Sequence, residues 1–475
     1  MTTEAMRVPA AERPTAREAV PVAAAYRVAY AALALGAVIA TAFAPPDNAG
    51  LALGSFLGEQ ILRTRAVPLH LGNETFTAAG AYTGGLGWLG GLTLALLARA
   101  GGSSALLLAT MLATLTAFWF TELQARRNAG QAFALLAVVI AAACALSSLG
   151  VAGGIVTAAF AAVLAYVLDR PGPRAAGVAT AIALVWCNVA PQGILAPLIA
   201  AIRGTTADEK LWSRIAWAGT VLAMFATPAF YHYPLAAFEA LRIDRTLGND
   251  VAFHPGQVAP IAYRIGFTLT MLVALSVGLQ RERRASISLV LFSALLALMN
   301  GAYLVVFGVL TGPVLAGAAA AALARSPRIA IGTPRSNVAA AIAAAGIGAV
   351  LAWHLAAPPQ PGGYALAAAL ERDGRPHRVF CYNVDWCDAA LAEAPAVRVF
   401  VDGRVEAYPQ TVLDQQGDIM RLRSHWRKRL NDSRVDTIVA PRSGPFGGIL
   451  SLWPAWHRAA ARDGDGVFER TVAAR

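Results

Sequence analysis

The chain changes character at Pro358-Pro359, and this boundary constrains its fold more than any other feature. Before the boundary, from about Tyr26, apolar runs long enough to cross a bilayer follow one another and are separated by short loops that carry arginine. After it, short β-like runs alternate with polar helical stretches. We therefore predict a polytopic α-helical membrane domain over residues 26–357 and a small soluble α/β domain over residues 358–475.

The composition supports a membrane domain. Of the 475 residues, 57% are hydrophobic and 14% are charged, whereas about 25% of the residues of a typical soluble domain are charged. The net charge of +11 comes largely from arginines at the ends of apolar runs, where positive residues hold loops in the cytoplasm. Since no basic stripe is interleaved with aromatic residues, we expect the lipid bilayer and not nucleic acid as a partner. Residues 1–25 are polar and rich in Ala and Pro, which predicts a disordered cytoplasmic leader.

The positions of the positive charges predict the topology. Nearly all charge clusters lie on one face, which should be cytoplasmic, if Ala175–Ile202 forms a pair of short or broken helices. Successive loops must alternate between the two sides of the membrane. One of the two apolar runs beside Arg99, Leu86–Ala98 or Leu106–Phe120, is therefore expected not to cross the membrane fully. We predict about eleven spans, the last of which is Val338–Ala356 and carries the C-terminal domain to the outside.

The first external loop is predicted over residues 45–82. Within it, the segment Leu51–Arg65 has apolar residues at helical spacing, which suits a helix that lies in the membrane interface. Ionisable side chains near a membrane are functional candidates. In this loop a carboxylate can act as a general base and arginines can hold a phosphate. The alternative is a solvated loop with ordinary surface charges. The candidates are Asp47 and Glu74 as bases, Arg63 and Arg65 as phosphate ligands, and His70.

Two further groups of candidates lie in the apolar part of the chain. Asn188 and Gln192 lie beside a proline in an apolar run, which indicates either a broken helix that lines a polar cavity or a kink whose amides bond neighbouring helices. Tyr231 and His232 lie between prolines, where they are a second substrate-binding candidate or an aromatic belt at the membrane surface.

Asp250 and His254 form a candidate metal or acid–base pair. Two ligands without a third do not define a metal site, and we therefore assign no metal ligands. No cofactor is indicated, although a divalent metal is left open.

The C-terminal domain is predicted as a small, mostly parallel sheet with helices packed on it. The predicted strands are Arg378–Tyr382, Val397–Val401, Val435–Ala440 and Val467–Val472, and the predicted helices are Asp388–Glu393, Gln410–Leu430 and Leu450–Arg462. Asp402 and Arg404 follow the second strand directly, at the edge where open α/β sheets bind ligands, and the alternative is a turn held by an Asp–Arg pair. The spacing of Cys381 and Cys387 leaves open whether they form a disulfide.

The order of these segments resembles a group of bacterial multi-pass membrane proteins related to the GT-C glycosyltransferases, which take sugars from polyprenyl-phosphate carriers. Ile61–Pro68 followed by Thr75–Thr77 looks like the first external loop of that group, and Trp186–Asn188 with Gly193 is similar to its Trp-Ala-Asn element. The best-matching segment is Arg398–Arg404, which is similar to a Val-Phe-Ile-Asp-Gly-Arg strand in the external domain of the group.

The resemblance implies a glycosyltransferase-like protein of the bacterial inner (cytoplasmic) membrane. It would use a polyprenyl-phosphate-linked sugar in cell-envelope glycan or glycolipid biogenesis, with its C-terminal domain outside. The first loop departs from the pattern of the group, because Gly72-Asn73-Glu74 stands where relatives have an Asp. A second hypothesis is therefore a catalytically inactive relative that serves as a lipid-binding or assembly subunit. A transporter is less favoured, since inverted repeats are not evident.

Overall fold

A computed structural model describes the chain in segments, which are residues 28–32, 35–36, 48–145, 152–205, 209–242, 284–299, 303–322, 370, 377–394, 396–442, 444–462 and 465–471. The predicted leader, the Pro358-Pro359 boundary and the predicted span Val338–Ala356 lie outside the described residues. The candidate residues Asp47, Asp250 and His254 also lie outside them.

The described part of the N-terminal domain is helical. Its helices are α1 (Asn48–Thr64), α2 (Trp88–Ala129), α3 (Gln131–Ala145), α4 (Ala152–Leu168), α5 (Pro173–Val189), α6 (Leu195–Gly204), α7 (Lys210–Phe225), α8 (Tyr233–Arg242), α9 (Arg284–Met299) and α10 (Leu304–Ala322). Their buried faces are rich in alanine, which lets helices approach closely. Helices α2 and α10 pack against each other and against both α3 and α4, and α7 packs against both α5 and α6.

Helix α2 joins the two apolar runs on either side of Arg99. Its 42 residues have a break at Gly101 and Gly102, whose backbone angles are not helical. Among the described residues, the segment Ser104–Ala129 after this break is the one helix long and apolar enough to cross a membrane. The shorter apolar helical segments are Phe133–Ala145, Gly154–Leu168, Pro173–Val189, Ile287–Ala297 and Leu304–Ala320. The estimate of about eleven spans stays a prediction.

Helix α1, predicted to lie in the membrane interface, packs between α2 and the C-terminal domain. Glycines permit the contact with α2, since a Cβ on Gly58 would lie 2.1 Å from the carbonyl oxygen of Gly91. Arg99 of α2 pairs with Glu59 of α1 at 2.5 Å. This pairing gives a structural reason for the arginine that interrupts the two apolar runs.

The segment between α5 and α6 is broken, as the sequence predicts for Ala175–Ile202. Helix α5 ends at Val189, Ala190 is extended, and Pro191–Ile194 forms a turn of 3₁₀ helix before α6 begins. Pro191 lacks the N–H that would continue the helix. Gly193 lies so close to α5 that a Cβ there would be 2.5 Å from the Cα of Cys187.

The C-terminal domain contains a five-stranded mixed sheet in the order β2-β1-β3-β5-β4. Strands β1 and β2 and strands β1 and β3 are parallel, whereas β5 is antiparallel to both β3 and β4. The strands are β1 (His377–Cys381), β2 (Val397–Val399), β3 (Thr437–Pro441), β4 (Trp456–Arg462) and β5 (Asp465–Arg470), and the helices are α11 (Val384–Glu393), α12 (Gln410–Met420), α13 (Trp426–Asp432) and α14 (Pro445–Leu452). Phe380, Phe400 and Phe468 are fully buried in its core.

Two predictions for this domain are corrected. The predicted helix Leu450–Arg462 is wrong, because the alanine-rich Trp456–Arg462 pairs with β5 as a strand and tertiary pairing overrides its helical propensity. The predicted helix Gln410–Leu430 is two helices, since the chain turns at Leu422 and His425 with positive φ. Because Trp456–Arg462 is a strand, the last two strands of the sheet form an antiparallel hairpin, and the sheet is less parallel than expected.

Cys381 and Cys387 form a disulfide, with their Cα atoms 5.7 Å apart. The bond joins the end of β1 to α11, and both cysteines are buried. Cys144 and Cys187 lie outside the disulfide and are buried among the helices, which agrees with their interpretation as small apolar residues.

Candidate active site between the first loop and the C-terminal domain

The first loop is attached to the edge of the C-terminal sheet. Strand β2 is the outer strand of that sheet, and Thr75 forms a parallel bridge with Val399. The N–H of Val399 donates to the carbonyl oxygen of Glu74 at 2.8 Å, and the N–H of Phe76 donates to that of Val399 at 3.3 Å. The hydroxyl of Thr77 donates to the carbonyl oxygen of Phe400. The loop thereby covers an edge that would otherwise be open to pairing.

Arg404 forms an ion-pair cluster where the loop meets the domain. Its Nη2 donates to Asp402 Oδ2 at 2.5 Å and to Glu74 Oε1 at 3.0 Å. The side chains of Asp402 and Arg404 are 0% and 5% exposed. Burial lowers the pKa of Arg404, but the carboxylates of Asp402 and Glu74 outweigh this effect and hold the pKa above its usual value. The guanidinium is therefore permanently charged.

The sequence-predicted Glu74, Asp402 and Arg404 are thus brought together, although the distance in sequence between the first and the last is 330 residues. Glu74 Oε1 also accepts a hydrogen bond from the N–H of Gly72 at 2.9 Å. This oxygen of Glu74 is engaged on two sides. In this arrangement Glu74 holds the loop and Arg404 in place.

A small cleft of about 20 Å³ opens beside this cluster, and we call it the first-loop cleft. Residues of α1, the first loop, α2 and the C-terminal domain line it, namely Leu57, Ile61, Pro68, Thr83, Gly85, Leu86, Trp88, Arg404 and Glu406. Most of its wall is apolar. Arg404 Nη1 is buried and has no hydrogen-bond partner among the described residues. An N–H donor left unpaired in a buried position costs about 1–3 kcal/mol.

Glu406 is the carboxylate that lines the first-loop cleft within the described part of the chain. It lies in a 3₁₀ turn, Val405–Ala407, immediately after Arg404, and is partly buried. Burial raises the pKa of Glu406 to about 7. Its own backbone N–H lowers the pKa, Asp402 raises it, and Arg404 lowers it. Such a carboxyl exchanges a proton near neutral pH.

Asp388 of α11 lies behind the cluster and is buried. Its Oδ1 accepts a hydrogen bond from the N–H of Gly403 at 2.8 Å. Burial and the nearby charge of Asp402 raise the pKa of Asp388 well above its usual value. Burial and the negative charge of Asp402 therefore both favour the neutral form of the Asp388 carboxyl.

Asn188 connects the cleft to the broken segment between α5 and α6. Its Oδ1 accepts a hydrogen bond from Trp88 Nε1 at 2.6 Å, while its Nδ2 donates to the carbonyl oxygens of Leu184 at 2.8 Å and Ala226 at 3.1 Å. Tyr233 donates its hydroxyl hydrogen to the carbonyl oxygen of Ala190 at 3.3 Å or of Pro191 at 3.1 Å. Of the two interpretations of Asn188, the bonded kink is the one observed. Asn188 acts on the cleft by orienting Trp88.

The remaining candidates lie around the cleft. Arg63 and Arg65 are exposed at the end of α1 and do not line it. Gln192 is partly buried in the 3₁₀ turn. His70, Tyr231 and His232 are exposed and meet through Tyr82. The ring centroids of His70 and Tyr82 are 5.5 Å apart, those of Tyr82 and His232 are 5.1 Å apart, and those of Tyr231 and His232 are 4.0 Å apart. Within the described segments, no group of three or more His, Cys, Asp or Glu residues could hold a metal ion.

Sequence reasoning missed Glu406, Trp88 and Asp388. The available signal for Glu406 was its position two residues after Arg404, beside a strand end already identified as a ligand edge. Trp88 and Asp388 carried no such signal, because their roles come from contacts with Asn188 and Gly403, which lie far away in the sequence.

The chain has a fold related to that of the GT-C glycosyltransferases. It is similar to the crystal structure of ArnT from Cupriavidus metallidurans bound to undecaprenyl phosphate, with a TM-score of 0.53 and 14% identity over 94% of this chain and 98% of that chain. It is also similar to the apo oligosaccharyltransferase of Archaeoglobus fulgidus, with a TM-score of 0.53 and 12% identity over 87% of this chain and 69% of that chain. No protein-family model matches the chain, and no curated protein sequence matches it.

Proposed function

We propose that this protein is a membrane glycosyltransferase that uses a polyprenyl-phosphate-linked sugar in cell-envelope glycan or glycolipid biogenesis. The observation that carries the proposal is the first-loop cleft, which is lined mostly by apolar side chains together with the charged residues Arg404 and Glu406. Ligand sites combine a largely apolar lining with a few polar groups in this way. The similarity in fold to a protein solved with undecaprenyl phosphate supports the class of lipid.

The reaction needs a donor phosphate site and a base. The acceptor oxygen bonds to the anomeric carbon, the bond from that carbon to the phosphate oxygen breaks, and polyprenyl phosphate leaves with the electron pair. Arg63, in the last turn of α1, and Arg65, just after its end, follow the cleft residue Ile61 and are exposed, so they can meet the donor phosphate from the solvent side. Asp47 and Glu74 are the loop carboxylates proposed as bases from the sequence, and Glu74 is also the partner of Arg404.

We place the first loop and the C-terminal domain on the external side of the bacterial cytoplasmic membrane, in a multi-pass arrangement of about eleven spans. The disulfide between Cys381 and Cys387 supports this side, because disulfides persist in oxidising compartments. The apolar helices among the described residues support a location in the membrane.

The test is a transfer assay on purified full-length protein in lipid nanodiscs, with radiolabelled polyprenyl-phosphate sugars and a total lipid extract as acceptor. We expect label to move to a new lipid product together with release of polyprenyl phosphate. The substitution of both Arg63 and Arg65 by glutamine should raise the KM for the donor at least tenfold. The absence of transfer from every donor by the wild-type protein would contradict the proposal.

A catalytically inactive, lipid-binding relative is the second candidate. The observation that favours it is the engagement of Glu74 Oε1 by both Gly72 and Arg404. It predicts saturable binding of polyprenyl phosphate in the same nanodiscs with no transfer, and binding that survives the double substitution of Asp47→Asn with Glu74→Gln.

A further inference from the structure

The C-terminal domain carries a surface on which arginine side chains lie over indole rings. The Cζ atom of Arg427 lies 5.3 Å from the ring centroid of Trp426 and 5.1 Å from that of Trp453. The Cζ atom of Arg470 lies 5.7 Å from the ring centroid of Trp456. These distances are within the range of cation–π interactions. We call these five side chains the Arg–Trp surface.

The three indoles of the Arg–Trp surface form one continuous row. The ring centroids of Trp426 and Trp453 are 5.3 Å apart, and those of Trp453 and Trp456 are 6.0 Å apart. Trp426 and Trp456 are buried in the core of the domain, which fixes them, whereas Trp453 is half-buried. Next to Trp453, Leu452 is 84% exposed. The surface therefore combines arginines that lie on fixed rings with apolar area that a ligand can reach.

The segment that contains Arg427 is strongly basic. Residues 418–434 include six basic and two acidic side chains. One of the two acids, Asp418, already pairs with two of the arginines. Arg427 and Lys428 are exposed, and neither forms an ion pair with a residue that the structure describes. Their charges attract anions, and the indoles beneath Arg427 reduce the conformational entropy that its side chain loses on binding.

The Arg–Trp surface is directed away from α1 and the first loop. Successive residues of a strand point to opposite faces of a sheet. Val379 of β1 belongs to the core cluster against which Phe56 of α1 packs. Its neighbour Phe380 belongs to the cluster on the other face, which contains Trp426 and Trp456. Strand β4, which contributes Trp456, is also at the opposite edge of the sheet from β2, the strand that the first loop covers. A ligand of this surface therefore approaches from the solvent.

We propose that the Arg–Trp surface and the neighbouring Lys428 bind an anionic glycan, which is a polysaccharide whose units carry carboxylate or phosphate groups. Arg427 and Lys428 pair with the anionic groups. Trp453 and Leu452 contact the apolar C–H face of a sugar ring, since the burial of apolar surface is favourable. A second copy of the chain does not fit, because it would bring two surfaces of like charge together. The inference uses the proposed function only for the external side of the membrane, where cell-envelope glycans lie.

The experiment measures binding to the purified full-length protein in nanodiscs of zwitterionic lipid. Fluorescent polygalacturonate is the anionic glycan and dextran is the neutral glycan. Polyglutamate is an acidic peptide that carries one carboxylate per unit, as polygalacturonate does, and vesicles of phosphatidylglycerol are an anionic membrane. We expect saturable binding of polygalacturonate that weakens between about 0.1 M and about 1 M salt, where the screening length falls from about 10 Å to about 3 Å. The other three probes should bind at least about tenfold more weakly.

Variants locate the binding on the domain. Arg427→Gln should weaken the binding of polygalacturonate by about tenfold, because it removes a charge-assisted hydrogen bond, and Lys428→Gln should weaken it in the same direction. The matched control is Arg398→Gln, since Arg398 is exposed on β2 at the other edge of the sheet. This variant should bind the glycan as wild type does. Equal midpoints of thermal unfolding for wild type and all three variants show that the fold is retained.

Four results would overturn the inference. They are the absence of polygalacturonate binding by wild type, binding of dextran that is equally tight, tighter binding of polyglutamate or of the vesicles, and equal effects of Arg427→Gln and Arg398→Gln. The third result would assign the surface to an acidic protein or to a membrane. Sugar transfer does not enter these measurements, so the proposed function can fail while this inference holds, and the reverse is also possible.

Discussion

Glu74 of the first loop and Arg404 of the C-terminal domain form an ion pair, with Arg404 Nη2 3.0 Å from Glu74 Oε1. The pair lies beside the first-loop cleft, which Arg404 helps to line. The ion pair therefore holds the first loop on the C-terminal domain at the edge of that cleft.

We expect Arg404→Leu to destabilise the protein by about 3–5 kcal/mol, because it leaves the fully buried carboxylate of Asp402 without a cation. Glu74→Gln should cost less, since an amide oxygen can still accept from the N–H of Gly72. Chemical unfolding of both single variants and the double variant gives the coupling energy, which we expect to be about 0.5–3 kcal/mol.

Arg423→Leu is the control for that cycle. Arg423 pairs with Asp418 at 3.3 Å but is 61% exposed, so its loss should cost less than about 1 kcal/mol. Equal costs for Arg404→Leu and Arg423→Leu would contradict the buried cluster.

The carboxyl of Glu406 should make stability depend on pH. Its pKa rises from 4.5 to about 7 on folding, so the folded state holds the proton more tightly than the unfolded state does. The stability gained from this proton is fully present below about pH 4.5 and is lost as pH rises through about 7. Glu406→Gln should therefore raise the free energy of unfolding relative to wild type at pH 8, by up to ~3 kcal/mol, and change it least at pH 4.5. A difference that is the same at both pH values would show that ionisation of Glu406 is not the cause.

The disulfide gives a prediction for the cellular compartment. In cells quenched with acid and then denatured, a maleimide should react with two thiols per chain, Cys144 and Cys187, and with all four cysteines after reduction. Replacement of Cys381 and Cys387 by alanine should lower the stability of the C-terminal domain by about 2 kcal/mol, from the entropy of closing the short loop between them. Four reactive thiols before reduction would place the domain in a reducing compartment.

The packing of α2 on the end of α5 requires glycine at position 90. A Cβ on Gly90 would lie 2.2 Å from the carbonyl oxygen of Val189. Gly90→Ala should therefore separate the two helices, weaken the hydrogen bond between Trp88 and Asn188, and cost about 1–3 kcal/mol.

Gly177→Ala in α5 is the matched control, because a Cβ there meets no atom within 4 Å. In a helix interior this change should be neutral or stabilise by about 0.5–1 kcal/mol. Thermal unfolding followed by tryptophan fluorescence measures both variants. Similar stabilities for the two would contradict the close approach at Gly90.

Local patterns predicted much of the chain. The β-branched and aromatic runs at His377–Cys381 and Val397–Val399 predict strands, and the proline after Val189 predicts the break between α5 and α6. These features depend on neighbours in the sequence. The strand Trp456–Arg462 was predicted as a helix, because its pairing with Asp465–Arg470 outweighs the preference of its alanines.

By itself, the sequence determined the apolar helical segments, most strands of the C-terminal domain and the Asp402-Gly403-Arg404 turn after β2. Only the tertiary structure decided that Glu74 binds Arg404, that Trp88 is held by Asn188, and that Glu406 faces the cleft. The physical reason is that propensity and periodicity act over a few residues. The partner of a buried charge, and the burial that shifts the pKa of a carboxyl, are set by segments that meet across the whole chain.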